Sequence, residues 1–224
     1  TDAKLAERNI SGADADKIRL YRNEARFLRA YMYWVLMDMF ANVPFADETA
    51  LIGVGLPNQI KRADLFAWIE TELKAIETLL ADPRTNEYGR ADKGAAWALL
   101  SRMYLNAEVY TGTARYTDVI TYANKVINAG YTLHNNYREL MLADNDQLAA
   151  TEFIFTIRYD GMRTQNWGGT TTLTHGPAGV PGSVSGTNGN WNCIRVTEQF
   201  VGLFDASDIR GQFWTQGQNL LMNQ

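Results

Sequence analysis

The residues best suited to chemistry lie in one uncharged run. From Gln165 to Asn192, twenty-eight residues pass without an Asp, Glu, Lys or Arg, yet the run carries Trp167, Trp191, Asn166, Asn190, Asn192 and His175 among seven glycines and many Thr and Ser. A loop this long inside a compact domain is functional or disordered, and two tryptophans argue against simple disorder. Indoles, amides and hydroxyls without charge suit an uncharged, hydroxyl-covered ligand such as a polysaccharide. The C–H faces of sugar rings stack on Trp167 and Trp191, and Asn166, Asn190 and Asn192 can exchange hydrogen bonds with ring hydroxyls. His175 reads either as a loop-packing imidazole or as a further partner for a sugar hydroxyl. The bland alternative for both tryptophans is that they hold the loop down, since a long loop needs an anchor.

Other chemistries find less support. A glycosidase needs two carboxylates flanking the scissile bond at roughly 5 to 10 Å, and the aromatic run contains none. There is no G-x-S-x-G, no H-E-x-x-H, no phosphate-cradling glycine loop, and only two histidines, so no enzymatic activity and no cofactor are expected. Asp144 and Asp146, with Glu152 nearby, offer hard oxygen ligands to Ca2+, but the spacing lacks the glycine and distal Glu of a known calcium loop, and a solvated turn is the competing reading. Cys193 stands alone, so no internal disulfide exists, and it reads as a small packed apolar group. A net charge of −4 provides no basic field for a phosphate backbone, which argues against nucleic acid as a partner. With 224 residues, 46% of them hydrophobic, the chain can bury a substantial core. The longest nearly uncharged helical stretch, Ala30 to Phe40, is about half of what a bilayer crossing needs.

The elements that must position the run are helices. Leu20, Phe27, Leu28, Tyr31, Val35 and Met39 recur at helical spacing from about Asp16 to Phe40, and Asn42-Val43-Pro44 stops that helix. Leu65, Ile69, Leu73, Ile76 and Leu80 form the stripe of a second, from about Asp64 to Leu80, ended by Asp82-Pro83. A third, from about Lys93 to Tyr110, turns Ala96, Leu99, Leu100, Met103 and Ala107 inward. A fourth, from about Tyr116 to Ala129, uses Val119, Ile120, Ala123, Val126 and Ile127 before Gly130. Trp97-x2-Leu100-Ser101-x2-Tyr104 matches the large-Leu-small-aromatic spacing of a tetratricopeptide helix, although Asn106 to Arg115 is a longer connection than the regular repeat has. Trp34, Trp68 and Trp97 then read as core or inter-helix packing. After Tyr131 the pattern changes: Glu152 to Tyr159 alternates like a strand, and Thr197 to Phe204 reads as a short helix. The expected fold is mostly α, tetratricopeptide-like helical hairpins stacked as an α-solenoid, with a long irregular loop-rich region and few strands. Residues 1–135 make the helical region, and residues 136–224 the strand plus loop-rich ligand-binding region.

Several separated segments resemble one family. Glu24-Ala25-Arg26-Phe27-Leu28-Arg29-Ala30, followed by Asn42-Val43-Pro44-Phe45, is similar to the E-x-R-F-L-R-A helix and terminal turn of the SusD/RagB outer-membrane nutrient-binding proteins. Arg90-Ala91-Asp92-Lys93-Gly94-Ala95-Ala96, Gly130-Tyr131-Thr132-Leu133, Glu152-Phe153-Ile154-Phe155, and Arg195-Val196-Thr197-Glu198-Gln199-Phe200 with Asp208-Ile209-Arg210 resemble its later blocks, in order. The resemblance implies a non-enzymatic glycan receptor on the outer face of the outer membrane of Bacteroidetes. It also implies a lipid anchor outside this chain, a TonB-dependent (SusC-like) transporter as partner, and starch or malto-oligosaccharide, or another neutral polysaccharide, as ligand. Family members are commonly about twice as long, so the resemblance implies a SusD-like domain truncated at both ends. An aromatic arc in the starch-binding founders draws partly on the region where Trp167 and Trp191 stand. The alternative function is a tetratricopeptide adaptor for a protein partner.

Overall fold

The structure, a computed structural model, describes residues 1–50, 53, 55–160, 162–164, 169–177, 187–211 and 213. Its order is α1 (Asp2–Glu7), α2 (Gly12–Phe40), β1 (Val43–Pro44), β2 (Gln59–Ile60), α3 (Arg62–Ile76), α4 (Lys93–Leu105), α5 (Ala107–Thr111), α6 (Tyr116–Ile127), α7 (Asn145–Leu148), α8 (Thr170–His175) and α9 (Glu198–Val201), with 3₁₀ turns at Tyr137–Met141 and Ile209–Gly211. The chain forms two compact units, one of Thr1–Leu133 with Thr151–Ile157, the other of His134–Ala150 with the described part of Arg158–Gln224. Thr151–Ile157 thus returns to the helical unit, where a boundary at residues 135/136 would have placed it in the loop-rich region.

The first unit is mostly helical, built from two helix pairs, α2 along α3 and α4 along α6. The α3 stripe does what its spacing demands: Leu65, Ile69, Leu73 and Ile76 are fully buried, each contributing roughly 1.5–3 kcal/mol of apolar transfer. They share one core with Phe27, Ala30 and Met37 of α2 and with Ala96, Leu100 and Met103 of α4. Trp34, Trp68 and Trp97 pack partly buried against that core. Each has a cation over its ring, Arg102, Arg29 and Lys125 respectively.

Polar contacts fix the order of the blocks. Arg26 and Arg29 of α2 both bond Glu72 of α3, at 2.9 Å for each closest contact. Glu24 reaches Arg90 at 2.5 Å and Asn86 at 2.8 Å, which ties α2 to the entry of α4. Asp92 caps α4 by accepting the Ala95 N–H at 2.9 Å, and it also accepts the Arg84 N–H at 2.7 Å and the Tyr131 hydroxyl at 3.3 Å. Asn42, in the turn that ends α2, accepts the first N–H of α3, from Arg62, at 2.9 Å.

The helical periodicity over-extends in three places. The helix expected from Lys93 to Tyr110 breaks at Asn106 into α4 and α5. Ile120 and Ile127, expected inward, are 63% and 69% exposed, because Tyr122 supplies the buried contact of α6 instead. Leu28 and Met39 of α2 also face outward. Glu152 to Tyr159 is not a strand: the described β-structure is the antiparallel pair Val43↔Ile60 and Pro44↔Gln59 with one isolated bridge. Alternation alone does not make a ladder without a neighbouring strand. Phe155 is instead an aromatic plug, edge-on to Phe27 at 5.2 Å and to Tyr31 at 5.8 Å. Among the described residues no helix is long and apolar enough to cross a membrane.

Candidate functional site

The site belongs to the second unit and begins at Asp160. Its carboxylate Oδ1 accepts the backbone N–H groups of Thr164, Arg163 and Met162 at 3.0, 2.7 and 2.9 Å. Those three donors hold its pKa down to about 2, so the turn is closed by a carboxylate at every ordinary pH. The uncharged run follows immediately.

Inside the run, α8 carries four threonines in six residues, Thr170-Thr171-Thr172-Leu173-Thr174-His175, a composition of low helix propensity that reads as loop in the sequence. Its last residue, His175, is half-buried, with Nδ1 3.1 Å from the Thr171 carbonyl and 3.3 Å from the Thr174 hydroxyl. The chain then returns alongside. The Trp191 N–H donates to the His175 carbonyl at 2.6 Å, and the Cys193 and Ile194 N–H groups donate to the Gly176 carbonyl at 3.0 and 2.8 Å. Pro177 and Ile194 complete the clip with a parallel bridge. Gly176 is required there: a Cβ would stand 2.3 Å from the Ile194 side chain and 2.4 Å from the Thr172 carbonyl.

This clip presents Trp191. Its indole is 43% exposed and stacks on the His175 imidazole, centroids 5.1 Å apart and planes 27° apart. Asn190 beside it is half-buried, and Asn192 is exposed at a positive φ of 55°. The structure therefore brings together four of the residues singled out in the run, Trp191, His175, Asn190 and Asn192. Trp167 and Asn166 lie outside the described residues. The clip residues Gly176 and Ile194 escaped the sequence reading, although the Gly176-Pro177 dipeptide signals a turn. Cys193 is exposed, not packed as expected, because its N–H rather than its side chain makes the inward contact.

Asp144 precedes α7 as its N-cap, and Asp146 lies in its first turn, in the same unit. The Asp144 carbonyl accepts the Gln147 and Leu148 N–H groups at 3.0 and 3.3 Å. Among the described residues no three His, Cys, Asp or Glu side chains gather as a metal site, so the carboxylates proposed for Ca2+ lack a third such partner there. A cleft of about 1020 Å3 in the first unit, lined by residues that include Asp47, Glu48, Lys61 and Asp64, has a charged wall unlike the run. Glu48 is already engaged with Arg29 at 2.6 Å and Asp47 with Thr49 at 2.6 Å.

Residues 4–105 match the model of a SusD-like family described as starch-binding and associating with the outer membrane. Over 195 residues, 85% of this chain, the sequence is 44% identical to the starch-binding protein SusD of Bacteroides thetaiotaomicron. The chain belongs to the SusD-like family. It spans about a third of that relative's length, 34%. A SusD superfamily protein from Parabacteroides distasonis shares the fold at a TM-score of 0.74, with 23% identity over 94% of this chain and 44% of its own. A SusD-like protein from Bacteroides fragilis aligns at a TM-score of 0.56 with 27% identity, over 70% of this chain and 31% of its own. The family model and the curated relative are named for binding, not for catalysis. The SusD-like blocks have structural work to do: Arg26, Arg29, Glu24 and Arg90 join helices, Asp92 caps one, and Thr197 caps α9 by accepting the Phe200 N–H at 3.2 Å.

Proposed function

We propose that this SusD-like chain captures a neutral oligosaccharide at the outer face of the outer membrane, without chemical change to it, and passes it to a TonB-dependent (SusC-like) transporter. Starch or malto-oligosaccharide is the ligand, and a lipid anchor outside this sequence holds the protein to the membrane. One observation carries the reading: an exposed indole, Trp191, held rigid by a backbone clip within a stretch that has no charge. A flat apolar surface with an asparagine on either side in the chain matches the C–H face of a sugar and its hydroxyls, and the run offers no Asp, Glu, Lys or Arg to an ionic ligand. Kinship with a protein named for starch binding supports the choice of glycan. Trp167 and Asn166, with Asn190 and Asn192, are the other sugar-binding residues in this proposal.

Affinity electrophoresis in gels containing amylose, cellulose, inulin or mannan tests it. The wild-type protein is expected to be retarded by amylose and not by cellulose. Trp191→Ala and Trp167→Ala should each lose retardation while helical circular dichroism is unchanged. Equal mobility of wild type and both variants in every gel would overturn the reading, and would favour the tetratricopeptide adaptor.

A further inference from the structure

We propose that His175 is a positioning residue for Trp191: it backs one face of the indole and leaves the opposite face as the single platform on which a neutral pyranose ring stacks. The inference rests on the glycan reading above. A ring has two faces, and the near-parallel imidazole at 5.1 Å covers one of them. The imidazole is itself fixed, since Nδ1 lies within hydrogen-bonding distance of the Thr171 carbonyl and the Thr174 hydroxyl of its own helix. The indole is fixed at its root, because the Trp191 N–H bonds the His175 carbonyl at 2.6 Å. What remains is rotation of the side chain about its own bonds, and the stack on His175 removes most of it. Immobilising such a side chain at the moment of binding would cost affinity, so a ring already held in place binds more tightly for the same contact area.

Two features set this role apart from a sugar contact. His175 is half-buried behind Trp191, whereas Trp191 is 43% exposed, so the indole is the more accessible of the two rings. Both contacts of the His175 Nδ1 also point back into its own helix. The platform is then one-sided, and the sugar rests on a single indole instead of being sandwiched between two rings at this position.

The test uses the chain as it stands, labelled with 5-fluorotryptophan, with the Trp191 resonance assigned through Trp191→Phe. Binding of maltoheptaose is measured by calorimetry for wild type, His175→Ala and His175→Phe. His175→Ala is expected to weaken binding by about three- to tenfold, the range of one aromatic contact, and to shift the Trp191 fluorine resonance. His175→Phe keeps a flat ring but lacks nitrogen, and it should restore both affinity and resonance to near wild type. Equal loss in the Ala and Phe variants with an unmoved resonance would assign His175 to the sugar and overturn the proposal. So would an Ala variant that binds like wild type. If wild type binds no maltoheptaose, it is the glycan reading that fails. The resonance alone then decides the positioning role: displacement by Ala with recovery by Phe upholds it, and no displacement overturns it.

Discussion

A missing methyl group at position 94 decides whether Tyr131 can reach its partner. A Cβ on Gly94 would lie 2.3 Å from the Tyr131 hydroxyl oxygen and 3.0 Å from two ring carbons, a distance at which something must move. Tyr131 needs that space because its hydroxyl donates to Asp92, the residue that caps α4, and burial pushes the phenol's pKa up. Gly94→Ala therefore sets two effects against each other. Alanine gains up to about 1 kcal/mol of helix propensity, and the clash costs more, on the order of 1–3 kcal/mol for an overpacked site. Urea unfolding should show Gly94→Ala destabilised in the wild-type background and stabilised in a Tyr131→Ala background. The same sign in both would remove the steric account. The sequence shows Gly94 and Tyr131 as members of separate motif blocks, yet it could not show that one makes room for the other, since they are thirty-seven positions apart. His175 and Trp191 repeat the lesson in the site. Their types pointed to sugars, but their stacking follows from a turn at Gly176-Pro177 whose geometry is not written in spacing.

Helices were more legible than the short elements, although the longest, α2, still turns Leu28 and Met39 outward. The α3 stripe and the inward face of α4 stand where the spacing puts them, because a long amphipathic pattern has one way to bury itself. Short patterns misled: Glu152 to Tyr159 alternates but has no partner strand, and α8 forms from threonines whose intrinsic preference opposes it. Charged groups between helices were visible as motif letters only. Glu72 shows their weight, since it accepts from Arg26 and Arg29 together and is largely buried. The Arg26 contact is the largest influence lowering its pKa from the usual value of 4.5, with Arg29 adding to it against the opposing effect of burial. A carboxylate whose folded pKa is depressed contributes stability that is fully present above its unfolded pKa and is lost as pH falls through the folded value. Thermal unfolding should therefore show the melting temperature falling as pH drops below about 4.5, with part of that fall absent in Glu72→Gln. At neutral pH the same variant should be less stable by roughly 2–3 kcal/mol, because Arg26 loses its carboxylate and Arg29 keeps only Glu48. A pH profile for Glu72→Gln parallel to wild type would show that other carboxylates carry the acid sensitivity.

Across the whole molecule, the proposed capture and hand-over can be tested separately, because the chain forms two compact units. The exposed indole of Trp191 belongs to the unit containing Arg158 onward, whereas the outward isoleucines of α6 belong to the helical unit. Ile120 and Ile127 are seven positions apart, hence on one face of that helix, and both are exposed. Under the proposed function, this outward apolar face is the surface of the helical unit on which transporter docking is tested. Ile120→Glu with Ile127→Glu should cut co-purification with the transporter by at least about tenfold, the cost expected of burying charge at an apolar contact. Its affinity for maltoheptaose should stay within about twofold of wild type. Trp191→Ala should do the reverse, losing the sugar and keeping the transporter. A double-glutamate variant that still co-purifies would move the docking face elsewhere on the helical unit. One that loses sugar binding as well would show that the two units act as a single receptor surface, contrary to the division of labour argued for α6 and the uncharged run.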